Sequence, residues 1–179
     1  MRLRIIDAAV DTVAAEGPDV STAVMAKRGG IAQGSIFHHF QTKTGLLNAV
    51  YLHLKEELRA AVLDDLPDGD VRDQLRAVWI RWMDWGTADP VRRRALHLLN
   101  GSPMVTEESR AQSIKGQVAG LALVERASAG GALAGHPLHF IDGILEGLAA
   151  ATLESIDRDP EHVAEYRGVG FDALWNMMR

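Results

Sequence analysis

Hydrophobic residues recur every three or four positions along almost the whole chain, which is the period of an amphipathic helix. The first such stripe contains Leu3, Ile6, Val10 and Val13, and a Gly-Pro pair at residues 17–18 ends it. No segment sustains an alternation of apolar and polar residues, and no hairpin turn signal lies between β-branched runs. The pattern therefore predicts an all-α protein.

Glycines, prolines and capping residues divide this pattern into about nine helices, of which the first three are short. The predicted helices run from about Leu3 to Gly17, from Ser21 or Thr22 to Arg28, from Gln33 to Phe40, from Thr42 to Leu66, from Val71 to Trp85, from Pro90 onward, from Met104 to Ala129, from Pro137 to Ile156, and from Pro160 to Met178. Neither an internal repeat nor a low-complexity segment is visible.

Two short predicted helices, residues 22–28 and 33–40, are joined by a turn that contains Gly29 and Gly30. Glycine supplies the permissive backbone that a tight corner between two helices needs. Ile36, one turn into the second helix, is placed to pack inward and hold the two helices together. This arrangement predicts a helix-turn-helix.

The second helix of this pair exposes polar residues near its N-terminus, where a helix in the major groove contacts bases. Gln33 carries the donor and the acceptor that pair with adenine, and Gly34 allows close approach of the backbone. Lys43 opens the next helix, whose dipole adds to its charge. The candidate DNA-binding residues are Ser21, Lys27, Arg28, Gln33, Gly34, Ser35, Phe37, His38, His39 and Lys43.

The charge is distributed unevenly along the chain. The formal net charge is -5, yet residues 1–50 hold five Lys/Arg and four Asp/Glu, whereas residues 51–179 hold 14 and 20. No acidic residue occurs between Asp19 and Glu56. A surface that faces phosphates needs such a stretch, because a carboxylate there repels the DNA backbone.

The segment from Ala26 to Lys43 resembles the DNA-binding motif of the TetR family of transcriptional regulators. The spacing matches through Ala26, Gly30, Gly34, His39, Phe40 and Lys43, with conservative exchanges at Met25, Ile31, Ser35, Ile36 and Thr42. The match covers about the first quarter of the chain, and the remainder agrees in length and helix layout.

This resemblance implies a DNA-binding domain at residues 1–45 and a helical domain for ligand binding and dimerisation at residues 46–179. It further implies a cytoplasmic homodimer that binds double-stranded DNA and represses transcription until a small apolar effector releases it. Two DNA-binding domains on a palindromic site also discriminate between DNA sequences far better than one domain does.

Three departures from the family pattern bear on DNA affinity. Ala32 stands where Ser is usual, so the recognition helix lacks a side-chain N-cap that contributes about 0.5–2 kcal/mol. Phe37 stands where Tyr is usual and lacks the hydroxyl that donates to phosphate. Gly29 stands where Ala is usual, which we expect to loosen the turn. Together they predict weaker DNA binding than is usual for the family.

The second domain offers a candidate effector pocket and a candidate dimer interface. Aromatic and methionine side chains line adaptable apolar pockets, although the same residues are also typical of plain core. The candidate pocket residues are Trp79, Trp82, Met83, Trp85, His97 and Met104. The terminal helices supply the candidate interface residues, Ile141, Ile144, Leu145, Leu148, Leu174, Trp175 and Met178. We expect the basic run at residues 92–94 to form a solvated helix face, pairing with Asp84 or Asp89.

No cofactor or metal is predicted. The chain lacks cysteine, a phosphate-binding loop and a paired-carboxylate signature, and His38 and His39 diverge by about 100° on a helix, so they cannot chelate one ion. No targeting segment and no membrane span are visible in the sequence. Two alternatives remain: a helical enzyme with His38, His39 or His97 as a general base, and an interaction bundle with a degenerate DNA-binding head.

Overall fold

A computed structural model describes all 179 residues and is entirely helical, which confirms the predicted fold class. Ten α-helices and one short 3-10 helix follow one another along the chain. They are α1 (Arg2–Glu16), α2 (Thr22–Arg28), α3 (Gln33–Phe40), α4 (Lys43–Leu63), α5 (Val71–Ala88), α6 (Pro90–Asn100), α7 (Glu107–Lys115), α8 (Val118–Ser128), α9 (Leu138–Arg158), the 3-10 helix (Pro160–His162) and α10 (Val163–Met178).

Side-chain caps explain where several helices begin. The Ser21 hydroxyl accepts from the backbone N–H of Val24 at the start of α2. Asp89 caps α6 by accepting from two backbone N–H groups, and Pro90 occupies its first turn. Such caps satisfy helix donors that have no partner inside the helix. The predicted beginnings of α2, α3, α4 and α6 are confirmed to within one residue.

The second half of the chain departs from the prediction in two places. The helix expected from Met104 to Ala129 is divided into α7 and α8. Gly116 is the C-cap of α7, and Gln117, the N-cap of α8, has a non-helical backbone conformation. The last helix begins at Val163 rather than at Pro160, after the 3-10 turn. The structure therefore has one α-helix more than the sequence pattern predicts.

The chain forms two compact units, and each unit combines two separate stretches of the sequence. Unit 1 comprises residues 1–57 and 89–116, and unit 2 comprises residues 58–88 and 117–179. Unit 1 holds 11 Lys/Arg against nine Asp/Glu, and unit 2 holds eight against 15, so their net charges are +2 and -7. The basic charge therefore belongs to the unit that contains the predicted helix-turn-helix. None of the helices combines the length and apolar character that crossing a membrane requires.

In unit 1, α1 lies against both α2 and α6. The side chains of α1 that face inward are almost fully buried, and they include Ile5, Ile6 and Val13. From α4, Leu46, Leu47, Val50 and Leu54 add side chains that have no exposed surface. Burying a Leu or Ile side chain contributes about 1.5–3 kcal/mol, so this apolar centre fixes the short helices around it.

In unit 2, α5, α8, α9 and α10 pack on one another around a second apolar core. Trp79 lies at its centre, 1% exposed, and its indole Nε1 donates to the backbone carbonyl of Arg167 at 2.9 Å. Gly170 lets α10 approach this ring, because a Cβ there would lie 2.6 Å from Trp79. The ring is therefore held by both packing and a hydrogen bond.

The Gly29–Gly30 turn is held tightly, and the expectation that Gly29 loosens it is wrong. Gly30 has a φ of 59°, in the left-handed region that glycine adopts readily. A Cβ at Gly29 would lie 2.5 Å from the Cβ of Ala8 on α1. Gly29 is thus required by the close approach of the turn to α1.

Gly29→Ala should destabilise the protein by about 1–3 kcal/mol, because neither backbone nor the Ala8 methyl group can move away cheaply. Gly34→Ala is the matched control, since a Cβ there meets nothing within 4 Å and alanine favours a helix by up to about 1 kcal/mol. Urea unfolding of both variants measures the difference. Equal unfolding free energies for the two variants would remove the steric role of Gly29.

Candidate DNA-binding site

Helix α3 is fixed to unit 1 by the side chains at its middle and at its end. Ile36 is 1% exposed and Phe40 is 8% exposed, and α3 packs on α2. The remaining side chains of α3 form an exposed face. Gln33, Gly34, Phe37, His38 and His39 are exposed, and Ser35 is half-buried. The helix thus presents a mixed polar and aromatic surface to solvent.

The turn between α3 and α4 sets the position of Lys43. Gln41 has a φ of 61°, and the Thr42 hydroxyl accepts from the backbone N–H of Gly45 at 2.9 Å. A Cβ at Gly45 would collide with the carbonyl oxygen of Phe40. Gly45 therefore lets the first turn of α4 lie against the last turn of α3, with Lys43 at the junction. The sequence prediction overlooked Gly45, although a glycine in the first turn of a long helix is a signal of close approach.

Gln33 is oriented by a neighbour on α2. Its Nε2 donates to the hydroxyl of Thr22 at 3.3 Å, and Thr22 is 8% exposed. A side-chain amide has two N–H donors and one oxygen acceptor. One N–H and the oxygen therefore remain for a base, which is the pair of groups that adenine accepts from and donates to in the major groove.

The other candidate DNA-binding residues differ in whether their polar groups already have partners within the protein. Lys27 is exposed, and no carboxylate pairs with it. Arg28 is turned back on α1, where its guanidinium lies 3.5 Å from the Glu16 carboxylate and donates to the carbonyl of Asp11. Ser21 has its hydroxyl engaged as the cap of α2. Lys27 is accordingly better placed to bind a phosphate than Arg28 or Ser21.

Ala32 precedes α3 without any side-chain hydrogen bond to it, as the sequence predicted. Phe37 is 42% exposed, so its missing hydroxyl leaves an apolar ring on the outer face of α3. The rings of His38 and His39 contact each other edge to face, with centroids 5.2 Å apart. Neither imidazole is hydrogen-bonded to a carboxylate that could orient it as a base.

Arg92 connects three helices of unit 1. Its guanidinium donates to both carboxylate oxygens of Glu57 on α4, at 2.9 and 2.8 Å, and to Asp7 on α1 at 2.9 Å. Asp89, the cap of α6, lies 3.3 Å away. Burial alone would lower the pKa of Arg92, but the charges and hydrogen bonds of Glu57 and Asp7 outweigh it and raise that pKa. The expectation of a solvated face is therefore wrong for Arg92, and Asp84 pairs with Arg167 instead.

Asn48 ties α4 to the segment between α6 and α7. Its side-chain amide donates to the carbonyls of Thr44 and Met104, at 2.7 and 2.9 Å. Its oxygen accepts from the backbone N–H of Thr106 at 2.9 Å, so a side chain only 9% exposed has partners for both of its ends. Sequence analysis did not identify Asn48, because its partners Met104 and Thr106 are 56 and 58 residues away and follow no motif.

The candidate pocket residues fall into both compact units. Trp79 and Met83 are buried in the unit 2 core, whereas Trp82 and Trp85 on the same helix are half-buried. His97 is exposed on α6, and Met104 is half-buried after it, so both belong to unit 1. Within α5, the interpretation of Trp79 as core is favoured by its packing and its hydrogen bond.

The candidate interface residues also divide by burial. Ile141, Leu145, Leu174 and Met178 are 7% exposed or less, because they pack into the core of their own unit. Ile144, Leu148 and Trp175 are half-buried. A partner subunit could reach only the half-buried residues directly, while the buried ones support the surface from beneath.

Two short helices joined by a four-residue turn, the second with an outward polar face, form a helix-turn-helix, the arrangement that places a helix in the major groove of DNA. Residues 5–50 match the model for bacterial regulatory proteins of the tetR family. This region of the chain is therefore similar to the DNA-binding region of TetR-family transcriptional regulators.

Curated relatives match in the N-terminal part. The chain is 38% identical over 81 residues to the HTH-type transcriptional regulator BetI of Klebsiella pneumoniae (strain 342), a stretch that covers 43% of this chain and 42% of BetI. The aligned stretch thus spans less than half the length of the curated relatives.

Solved structures match over nearly the whole chain. A tetR-family transcription regulator from Shewanella sp. PV-4 superposes with a TM-score of 0.87 at 27% identity, covering 99% of this chain and 97% of that one. LfrR from Mycobacterium smegmatis, solved in complex with proflavine, superposes with a TM-score of 0.70 at 22% identity, covering 97% and 94%. The all-helical fold is therefore shared beyond the DNA-binding motif.

Thr22→Val should relax the base preference expected of Gln33, because valine keeps the shape of threonine but accepts no hydrogen bond from the Gln33 amide. The loss is expected to approach that of Gln33→Ala, about 1–3 kcal/mol for the preferred base in each half-site. Thr22→Ser keeps the hydroxyl and is the control. Competition binding with single-base substitutions in the duplex measures the preference. If Thr22→Val retains full preference while Gln33→Ala loses it, Thr22 does not orient the amide.

Proposed function

We propose that this protein is a cytoplasmic transcriptional repressor that binds an inverted repeat in double-stranded DNA as a homodimer and leaves it when a small apolar effector binds. In this proposal residues 1–45 bind DNA, and residues 46–179 bind the effector and dimerise. The observation that carries it is the exposed face of α3, which a buried Ile36 and Phe40 hold outward on the basic unit.

Lys43 is the candidate phosphate contact at the start of α4. Its side chain is half-buried at the junction of α3 and α4, and no carboxylate pairs with it. A lysine held at a helix N-terminus beside the recognition helix is placed to bind the DNA backbone on either side of the contacted bases.

Lys43→Ala should weaken binding to all duplexes alike. Each phosphate contact contributes about -0.9 to the slope of log K against log salt, so a symmetric dimer should lose nearly two units of slope. Lys115→Ala, on α7, removes the same charge from an exposed position and should leave the slope unchanged. Fluorescence anisotropy across a salt series measures both. An unchanged slope for Lys43→Ala excludes it from the phosphate contacts.

The dimer is supported by an apolar stripe on the outer face of α9. Phe140, Gly143, Gly147 and Ala151 are exposed and recur at the three- and four-residue spacing of one helix face. A Cβ at Gly143 or Gly147 would meet nothing within 4 Å. Small residues allow a second helix to approach closely, and the exposed Phe140, 47% accessible, gives such a contact apolar area to bury.

Gly147→Arg should produce a folded monomer, because arginine fits the open space of a single subunit but would occupy the surface that two subunits share. The matched control is Gly101→Arg in unit 1, where a Cβ also meets nothing within 4 Å. Sedimentation velocity at micromolar concentration, with circular dichroism to establish folding, distinguishes the two. If Gly147→Arg sediments as a dimer, the interface lies away from this stripe.

The effector site is proposed beside the half-buried tryptophans of α5, Trp82 and Trp85, rather than at the buried Trp79. Trp79 has its indole hydrogen-bonded and its ring packed, so a ligand there would have to displace the core. The same fold holds proflavine in LfrR, a planar aromatic molecule. Aromatic side chains with part of their surface accessible suit an apolar ligand of this kind.

Trp85→Phe should remove most of the fluorescence change on effector binding and weaken the effector. The DNA affinity of the wild type should fall by a coupling of about 1–3 kcal/mol when the effector is bound. A screen of hydrophobic compounds by tryptophan fluorescence, followed by DNA release, measures this, and Trp79→Phe controls for general changes in fluorescence. If Trp85→Phe leaves both the signal and the effector affinity intact, the pocket lies elsewhere.

A further inference from the structure

Arg2 lies against the end of the recognition helix. Its guanidinium carbon is 5.1 Å from the centroid of the Phe40 ring, within the range of a cation–π contact. Phe40 is the last residue of α3 and precedes Lys43 by three positions. The first turn of α1 therefore brings a positive charge to the same end of α3 at which α4 begins.

The charge of Arg2 is not neutralised by the protein. Arg2 is exposed, and its contact with Phe40 is its one polar or ring interaction. Arg28, within the motif, differs in this respect, because it is paired with Glu16. The ring contact uses no hydrogen-bond acceptor, so the N–H groups of the guanidinium stay free, and their planar arrangement matches the geometry of a phosphate.

We propose that Arg2 binds a phosphate of the DNA backbone next to the C-terminal end of α3, with the Phe40 ring holding its guanidinium in place. The proposal rests on the proposed DNA-binding function. It adds a contact from α1 to those expected from the helix-turn-helix itself.

The contact with the Phe40 ring should raise the affinity of Arg2 for a phosphate. A free arginine side chain loses rotamer freedom when it binds a phosphate, and a side chain already restrained by a ring loses less. Arg4 provides the contrast, because it is exposed in the same turn, has neither a ring contact nor a carboxylate partner, and lies two residues further along α1. Two residues turn a helix by about 200°, so the two side chains point to nearly opposite sides.

The test uses the full chain and a duplex of mixed sequence, because a phosphate contact forms on any duplex. Arg2→Met keeps an unbranched apolar cover over Phe40 while it removes the charge, and Arg4→Met is the matched control. Arg2→Met should lose about 0.9 units of salt slope in each half-site, so that its affinity falls about twelvefold less than that of the wild type between 50 and 200 mM salt. Arg4→Met should retain the wild-type slope. Unfolding midpoints of both variants establish that they fold equally well.

Phe40→Leu tests whether the aromatic ring of Phe40 holds the Arg2 guanidinium in place. In that background the further change Arg2→Met should cost less affinity than it does alone, because Arg2 is no longer held beside the phosphate. A wild-type slope in Arg2→Met, or an equal loss in Arg4→Met, would overturn the assignment of Arg2 while leaving the proposed function intact. A wild type that binds no duplex at 50 mM salt would overturn both the proposed function and this assignment.

Discussion

The anchoring of an eight-residue helix is the constraint on which the DNA-binding site depends. Isolated helices of this length are marginal in water, so α3 must take its order from tertiary contacts. Two buried side chains, Ile36 and Phe40, supply them, and two close backbone approaches fix the ends. Gly29 lets the preceding turn lie on α1, and Gly45 lets the following helix lie on the last carbonyl of α3. The missing cap at Ala32 is tolerable because these contacts hold the helix.

The same anchoring extends outward through polar contacts in unit 1. Arg92 joins α1, α4 and α6 through Asp7 and Glu57, and Asn48 joins α4 to the segment after α6. Removal of the Arg92 guanidinium would take away the charged hydrogen bonds to Asp7 and Glu57 at once. The division between the two compact units falls within the continuous helix α4.

Local signals in the sequence predicted the helices and the motif well. They could not predict contacts between residues that are distant in the sequence. Ser21 and Thr42 were recognisable as caps because capping depends on neighbours three residues away. The tight packing of Gly29 on Ala8 was not predictable, since the two residues are far apart in sequence and glycine signals a turn as readily as a close approach. Arg92 illustrates the same limit, because three adjacent arginines on an amphipathic helix are typical of a solvated face. In the last two helices, periodicity located apolar stripes. It could not separate residues in the core, such as Leu145 and Met178, from residues that a partner could contact.

The account stands most directly on whether the exposed face of α3 distinguishes one DNA sequence from another. Selection of bound molecules from a pool of random duplexes, followed by sequencing, measures this for every possible operator at once. The account predicts enrichment of an inverted repeat whose half-site centres lie about one helical turn, 10–10.5 base pairs, or a multiple of it apart. Recovery of a pool still random in sequence, from a protein that is folded and binds duplexes only through their charge, would contradict it.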